Sequence, residues 1–228
     1  MSTYQGNSGL ANSAGQIVRN SVLRNTFILL ALSMVPTVLG AWVGLETGVM
    51  SYFRGGLGFL GIIAVMFVFI FAIEKNKNSA MGVPLLLGFT FFMGLVMSSL
   101  LSLVLSKSDG AQIVMTAFGS TAAVFAGMSF LAFTIKKDLT SWGPILFAAV
   151  IGLLVASVVN IFIGSTVVMM AISGIATVVF SLFLLFDLKR IVDGGETNYI
   201  SATLAVYLDL VNIFQNILVL LGLGSSRD

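Results

Sequence analysis

The chain has 228 residues, of which 58% are hydrophobic and only 9% charged, and its formal net charge is +2. A soluble domain carries roughly a quarter charged residues, and a mean hydropathy of +1.08 leaves too few charges to cover a surface in water, so lipid must be the solvent for most of the chain. With no Cys and no His, disulfides and thiolate chemistry are excluded, the commonest general base and zinc ligand are missing, and a metal enzyme is disfavoured.

Residues 1–25 are polar and rich in Ser, Asn and Gly. That composition predicts a flexible tail, with a short helix near residues 17–23. It does not read as a signal peptide, because no charged segment leads into a short apolar core and a small-residue cleavage site. Seven apolar runs follow, at 26–45, 57–73, 83–105, 113–135, 142–163, 166–186 and 200–223. Each reaches or nearly reaches the ~20 residues that a spanning helix needs. The connections are short. The expected fold class is therefore an all-α integral membrane protein, one bundle over 26–223 with a short tail at 224–228. There is no internal repeat, and an odd number of spans speaks against two inverted halves.

Basic residues set the expected orientation. The tail and the even-numbered loops hold Arg19, Arg24, Lys75, Lys77, Lys136, Lys137, Lys189 and Arg190; the other side holds Arg54, Lys107 and Arg227. Eight against three accounts for all eleven basic residues. This predicts a cytoplasmic tail and a C-terminus outside. It also explains the pI near 9.0 without a nucleic-acid partner. Trp42, Trp142 and Tyr199 fall near span ends, where an aromatic belt would place them.

Within the first span, Pro36 predicts a kink. Small residues recur at packing intervals: Gly40 and Gly44; Gly119, Ala123 and Gly127; Gly152 and Ala156. Such spacing lets helix backbones approach closely in lipid. Asn160, deep in the fifth run, predicts an interhelical hydrogen bond. Thr197 predicts a cap on the last helix. Glu46 and Glu74 sit at span ends and read as interfacial charges.

Two carboxylates stand apart, in or at the edge of apolar runs. Asp187 closes the sixth run and Asp209 lies well inside the seventh. A charge in lipid costs roughly 2.5–3.5 kcal/mol on insertion scales, so such residues usually face the protein interior. Ala202, Ala205, Asp209, Asn212 and Asn216 share one helical face. That stripe places the seventh span inside the bundle, with Asn212 and Asn216 as polar support. The functional reading is a carboxylate pair that shares a proton and responds to pH. The plainer reading makes Asp187 an interfacial charge beside Lys189 and Arg190. Depth is the obstacle to a pair. At 1.5 Å per residue Asp209 sits about 14 Å from residue 200, whereas Asp187 is near the surface.

Phe186-Asp187-Leu188, Tyr207-Leu208-Asp209 and Asn212-Ile213-Phe214 resemble the Bax inhibitor-1 family, as do Ala117-Phe118-Gly119-Ser120-Thr121, Lys136-Lys137-Asp138-Leu139 and Asn160-Ile161-Phe162. Val22-Leu23-Arg24-Asn25-Thr26 and Gly194-Gly195-Glu196-Thr197-Asn198-Tyr199-Ile200 are similar to its bacterial YccA branch. The resemblance implies six helices wrapped around a central seventh. It implies a bacterial inner-membrane location and no cofactor. In members with both aspartates it implies a pH-sensitive calcium leak latched by the pair, here Asp187 and Asp209, which would meet a passing cation only transiently. For the YccA branch, which usually lacks these aspartates, it implies binding to and restraint of the membrane protease FtsH. This chain carries marks of both. Leak members have an arginine in the second span near the pair. Residues 57–73 hold no basic residue and are flanked by Arg54 and Lys75. With Lys189 and Arg190 these are the candidate charges beside the pair.

Two functions from different classes are thus expected: a proton-gated cation leak, or a modulator and slow substrate of FtsH. An intramembrane aspartyl protease would need Gly-x-Gly-Asp around the second aspartate. The chain has Val206-Tyr207-Leu208-Asp209.

Overall fold

The computed structural model describes residues 3–53 and 55–224. All regular secondary structure among them is helical: α1 (Thr3–Thr47), a short 3-10 helix (Val49–Phe53), α2 (Gly56–Asn76), α3 (Gly82–Leu105), α4 (Gly110–Thr134), α5 (Trp142–Ile163), α6 (Thr166–Val192) and α7 (Tyr199–Gly224). Seven of these helices are long and apolar enough to cross a membrane, the first over Arg19–Thr47. The chain is a seven-span helical membrane protein. Where the sequence reads as an irregular polar tail, the backbone is helical from Thr3, so α1 begins well before the apolar run.

α7 packs against α1, α2, α3, α4 and α6, while α5 stands outside and packs on α6. The first half of α7 is buried almost continuously, including Ile200, Thr203, Val206, Tyr207 and Asp209. The outer helices expose large apolar side chains such as Phe67, Phe71, Phe147 and Phe162. A bundle in lipid needs no polar shell on those faces.

The α1–α3 crossing is the tightest in the fold. A Cβ added to Gly40 would lie 2.0 Å from the Phe91 carbonyl oxygen, and one on Gly94 would lie 2.0 Å from that of Thr37. The two backbones touch directly, as small residues permit. Beside this crossing Tyr207 of α7 is fully buried. Its hydroxyl meets Thr37 Oγ1 at 2.8 Å and the Thr90 carbonyl at 3.3 Å. α1 runs through Pro36, and the Ser33 and Thr37 hydroxyls bond carbonyls one turn back, Leu29 and Ser33.

The loops fall at two ends. At one end Asn198 Nδ2 donates to the Lys77 carbonyl at 3.1 Å and to Asn78 Oδ1 at 2.8 Å. There Lys77 Nζ also donates to Glu74 Oε2 at 2.8 Å, and that hydrogen bond holds the ammonium above its usual pKa. At the other end Lys107 Nζ donates to the Gly222 carbonyl, tying the α3–α4 loop to the end of α7.

Candidate functional site: a carboxyl pair between α6 and α7

α6 does not stop where its apolar run stops. It continues to Val192, so Asp187 lies more than a turn inside the helix. Charges beyond the apolar run are satisfied locally. Buried Lys189 pairs with Asp193 one turn on, at 2.6 Å, and Arg190 Nη2 meets Glu196 Oε2 at 3.1 Å. The helix then ends in a turn through Gly194, whose φ of +80° suits a residue without a Cβ. Glu196 Oε1 accepts from Thr197 N and Asn198 N, both at 2.9 Å, and Asn198 Oδ1 accepts from Ile200 N and Ser201 N. Asn198, not Thr197, is therefore the side-chain cap of α7. Its acceptor reaches the orphan N–H groups of the first turn.

The structure brings Asp187 and Asp209 within hydrogen-bonding reach of each other. Asp209 is about 15 Å along α7 from its start, and Asp187 about 7.5 Å from the end of α6. Side-chain direction closes that difference in depth. A Cα–Cβ bond tilts toward the N-terminus of its own helix. The two helices run in opposite directions, so Asp187 leans into the bundle and Asp209 leans back toward the loop end. The small side chains of Ala202 and Ala205 line the space beside Asp187.

Asp209 is 5% exposed, and its Oδ2 has no donor among the described residues. Two ionised carboxylates offer each other only acceptors, so a hydrogen bond between them requires a proton held in common. The fixed charges that act on Asp187 are Arg190 first and Glu196 after it. Lys189 is turned to Asp193, and Lys75 is exposed at the end of α2. Arg54 lies outside the described residues.

Asn212 and Asn216 do not join the pair. Their amides donate to the Leu208 and Asn212 carbonyls of α7 itself, each at 2.8 Å. Among the described residues Asn160 does not make the expected interhelical bond, and its buried Oδ1 has no donor there. No group of three or more Asp and Glu side chains among the described residues is placed to hold a metal ion. Sequence reasoning missed Ser201, which is buried with its Oγ unpaired among the described residues. A serine one turn before the Ala205–Asp209 stripe was the available signal.

Seven spans, of which five rather than the expected six pack on the last helix because α5 lies outside against α6, with two carboxyl groups in reach of each other on the last two, define a multi-pass membrane protein of a particular build. The sequence profile of the family described as "Inhibitor of apoptosis-promoting Bax1" matches residues 19–227. The chain belongs to this family, the Bax inhibitor-1 family. It is 36% identical to a membrane protein of Vibrio cholerae over 92% of each chain. It is 34% identical, also over 92% of each chain, to the Escherichia coli K12 protein named "Modulator of FtsH protease YccA". The same identity and coverage hold for the "Inner membrane protein YccA" of Escherichia coli O6:H1.

Proposed function

We propose that the protein is a pH-sensitive leak for calcium or a similar cation, controlled by Asp187 and Asp209. The observation that carries this reading is the contact between two carboxyl groups on neighbouring helices, one of them almost wholly buried. A shared proton joins α6 to α7. Its loss leaves like charges in contact in a poorly solvated place, and repulsion then favours separation of the helix ends. Separation opens a path from the loop end of the bundle, and the two carboxylates meet the ion in passing. The tail and the even-numbered loops face the cytoplasm and the C-terminus faces outside, by the distribution of basic residues.

Calcium flux into proteoliposomes across a pH series tests this. Wild type should show a pH-dependent leak. Asp209→Asn and Asp187→Asn should each remove or strongly shift that dependence with the fold intact. The double variant should add little to either single one. Flux equal to that of empty liposomes at every pH, or additive effects of the two substitutions, would sink the reading. A reporter after Asp228 that works only in the cytoplasm would refute the orientation.

A second reading is favoured by the relative in Escherichia coli, whose name makes it a modulator of FtsH. Here the polar segment before the first span is the handle that the protease grips. The full-length protein should co-purify with FtsH and slow its turnover of other membrane substrates. Deleting residues 2–16 should lengthen the protein's life. Equal lifetimes with and without the protease would count against it.

A further inference from the structure

Beside Asp187 lies a small cavity of about 10 Å³, between the end of α6 and the first turns of α7. Asp187, Arg190, Glu196, Ser201, Ala202 and Ala205 line it. A space of this size takes about one water molecule, provided two to four polar groups receive it. The groups are present. Ser201 is 8% exposed and its Oγ has no partner among the described residues. A buried hydroxyl left so is destabilising unless something fills the site. Asp187, Arg190 and Glu196 are the other polar residues that line it. Ala202 and Ala205 leave the room.

One wall of the cavity is the Arg190–Glu196 ion pair. Glu196 is held in place by the backbone N–H groups of Thr197 and Asn198, so the guanidinium docks on a fixed carboxylate. Arg190 is itself about half exposed. Asp187 also meets Asp209, which is buried in the bundle. Asp187 is therefore common to the cavity and to the carboxyl pair.

We propose that this cavity is a one-water site through which the carboxyl pair exchanges protons with the aqueous phase, with Ser201 holding the water and the Arg190–Glu196 pair covering it. This rests on the reading that the carboxyl pair holds a proton in common. In each exchange an O–H bond of the carboxyl breaks as one forms on the water, and a second O–H of that water then breaks toward solvent. The reverse transfer carries a proton, or a deuteron in D₂O, from solvent through the water to the carboxylate, and both the water and the acid are restored. Arg190 and Glu196 are the charged groups beside Asp187 other than Asp209.

The test is infrared spectroscopy of the full-length protein in lipid vesicles. The carboxylic-acid C=O band is assigned by its loss in Asp209→Asn, and its shift is timed after transfer to D₂O. Ser201→Val removes the hydroxyl and part of the space. It should slow the shift about tenfold, the worth of one hydrogen bond. Ala205→Val fills the cavity from the α7 side and should also slow it. Ser201→Thr keeps a hydroxyl and should restore the wild-type rate. Arg190→Gln uncovers the site and should speed the shift. A band that shifts at the wild-type rate in both Ser201→Val and Ala205→Val, or no faster in Arg190→Gln, overturns the proposal while leaving the leak intact. Absence of any such band in wild type at neutral pH overturns the shared proton, and this proposal with it.

Discussion

Gly94→Ala puts the α1–α3 crossing to the test. The added methyl would lie 2.0 Å from the Thr37 carbonyl oxygen and 2.8 Å from the Ala41 nitrogen, where real Cβ atoms essentially never approach within 3.0 Å. Both obstacles are backbone, so no rotamer change relieves them, and α1 must move away from α3. Overpacking of a close-fitting site costs about 1–3 kcal/mol, and a clash with backbone alone belongs at the upper end. For a chain of this length ~3 kcal/mol lowers Tm by roughly 6–12 °C. The same movement pulls Thr37 from its 2.8 Å hydrogen bond with Tyr207. The assay is thermal loss of helical circular dichroism in detergent, with Gly119→Ala and Gly127→Ala as controls. A Cβ at either control position meets nothing within 4 Å. Alanine also favours helix over glycine by up to about 1 kcal/mol, so the controls should melt at or slightly above wild type. If Gly94→Ala melts with the controls, the two backbones do not touch.

Tyr207→Phe keeps the ring and removes the hydroxyl that meets Thr37 and Thr90. It should lower stability by about 0.5–1.5 kcal/mol in the same melting assay, the net worth of one hydrogen bond, because the Thr37 hydroxyl keeps its bond to the Ser33 carbonyl, and an unchanged Tm would show those contacts to be idle. At the α4–α5 loop Asp138 Oδ1 accepts from the Thr140 hydroxyl at 2.5 Å and the Thr140 N–H at 2.8 Å, which holds its carboxyl below the usual carboxylate range. The contribution of this bond is complete above the unfolded carboxylate pKa and is lost as pH falls through the lower folded value. The Thr140 amide shift should therefore titrate with an inflection below that of a free aspartate, and an inflection at or above it would refute the arrangement.

Residues differ in how much of their role could be read before the fold was known. The α5 bounds predicted from the apolar run are those observed, because Gly164 with φ +69° stops the helix where the run stops. The apolar run alone ends α6 at residue 186, because Asp187, Lys189 and Arg190 look like an exit from lipid. The helix continues because those charges find partners one turn away or in the following loop. Small-residue spacing could not separate Gly40, which faces a neighbouring backbone, from Gly119, Gly127 and Gly152, which face open space. Spacing marks where helices can approach, and the partner helix decides where they do. The sequence offers Asp187 and Asp209 as a pair, with the difference in depth standing against their contact. Counting residues along two helices gives depth at the axis. It misses the opposed lean of side chains on antiparallel neighbours.

The two proposed functions use different parts of the molecule, and this yields a separation that one set of variants can measure. Asp209 is 5% exposed, so no partner protein can touch it without opening the bundle. Asp209→Asn is nearly isosteric and leaves the outer surface as it was. The polar segment before the first span precedes Arg19 and lies outside the membrane-spanning part of α1. Asp209→Asn should therefore change the pH dependence of flux and leave co-purification with FtsH as in wild type. Deleting residues 2–16 should weaken the FtsH effect and leave flux untouched. The two can be linked only if the protease distinguishes the states that the carboxyl pair selects, since a ligand shifts an equilibrium only by its differential affinity for the two states. Flux and FtsH binding measured on both variants decide the matter. If either variant alters both readouts, the functions are not separate, and α7 carries the state of the pair to the protease.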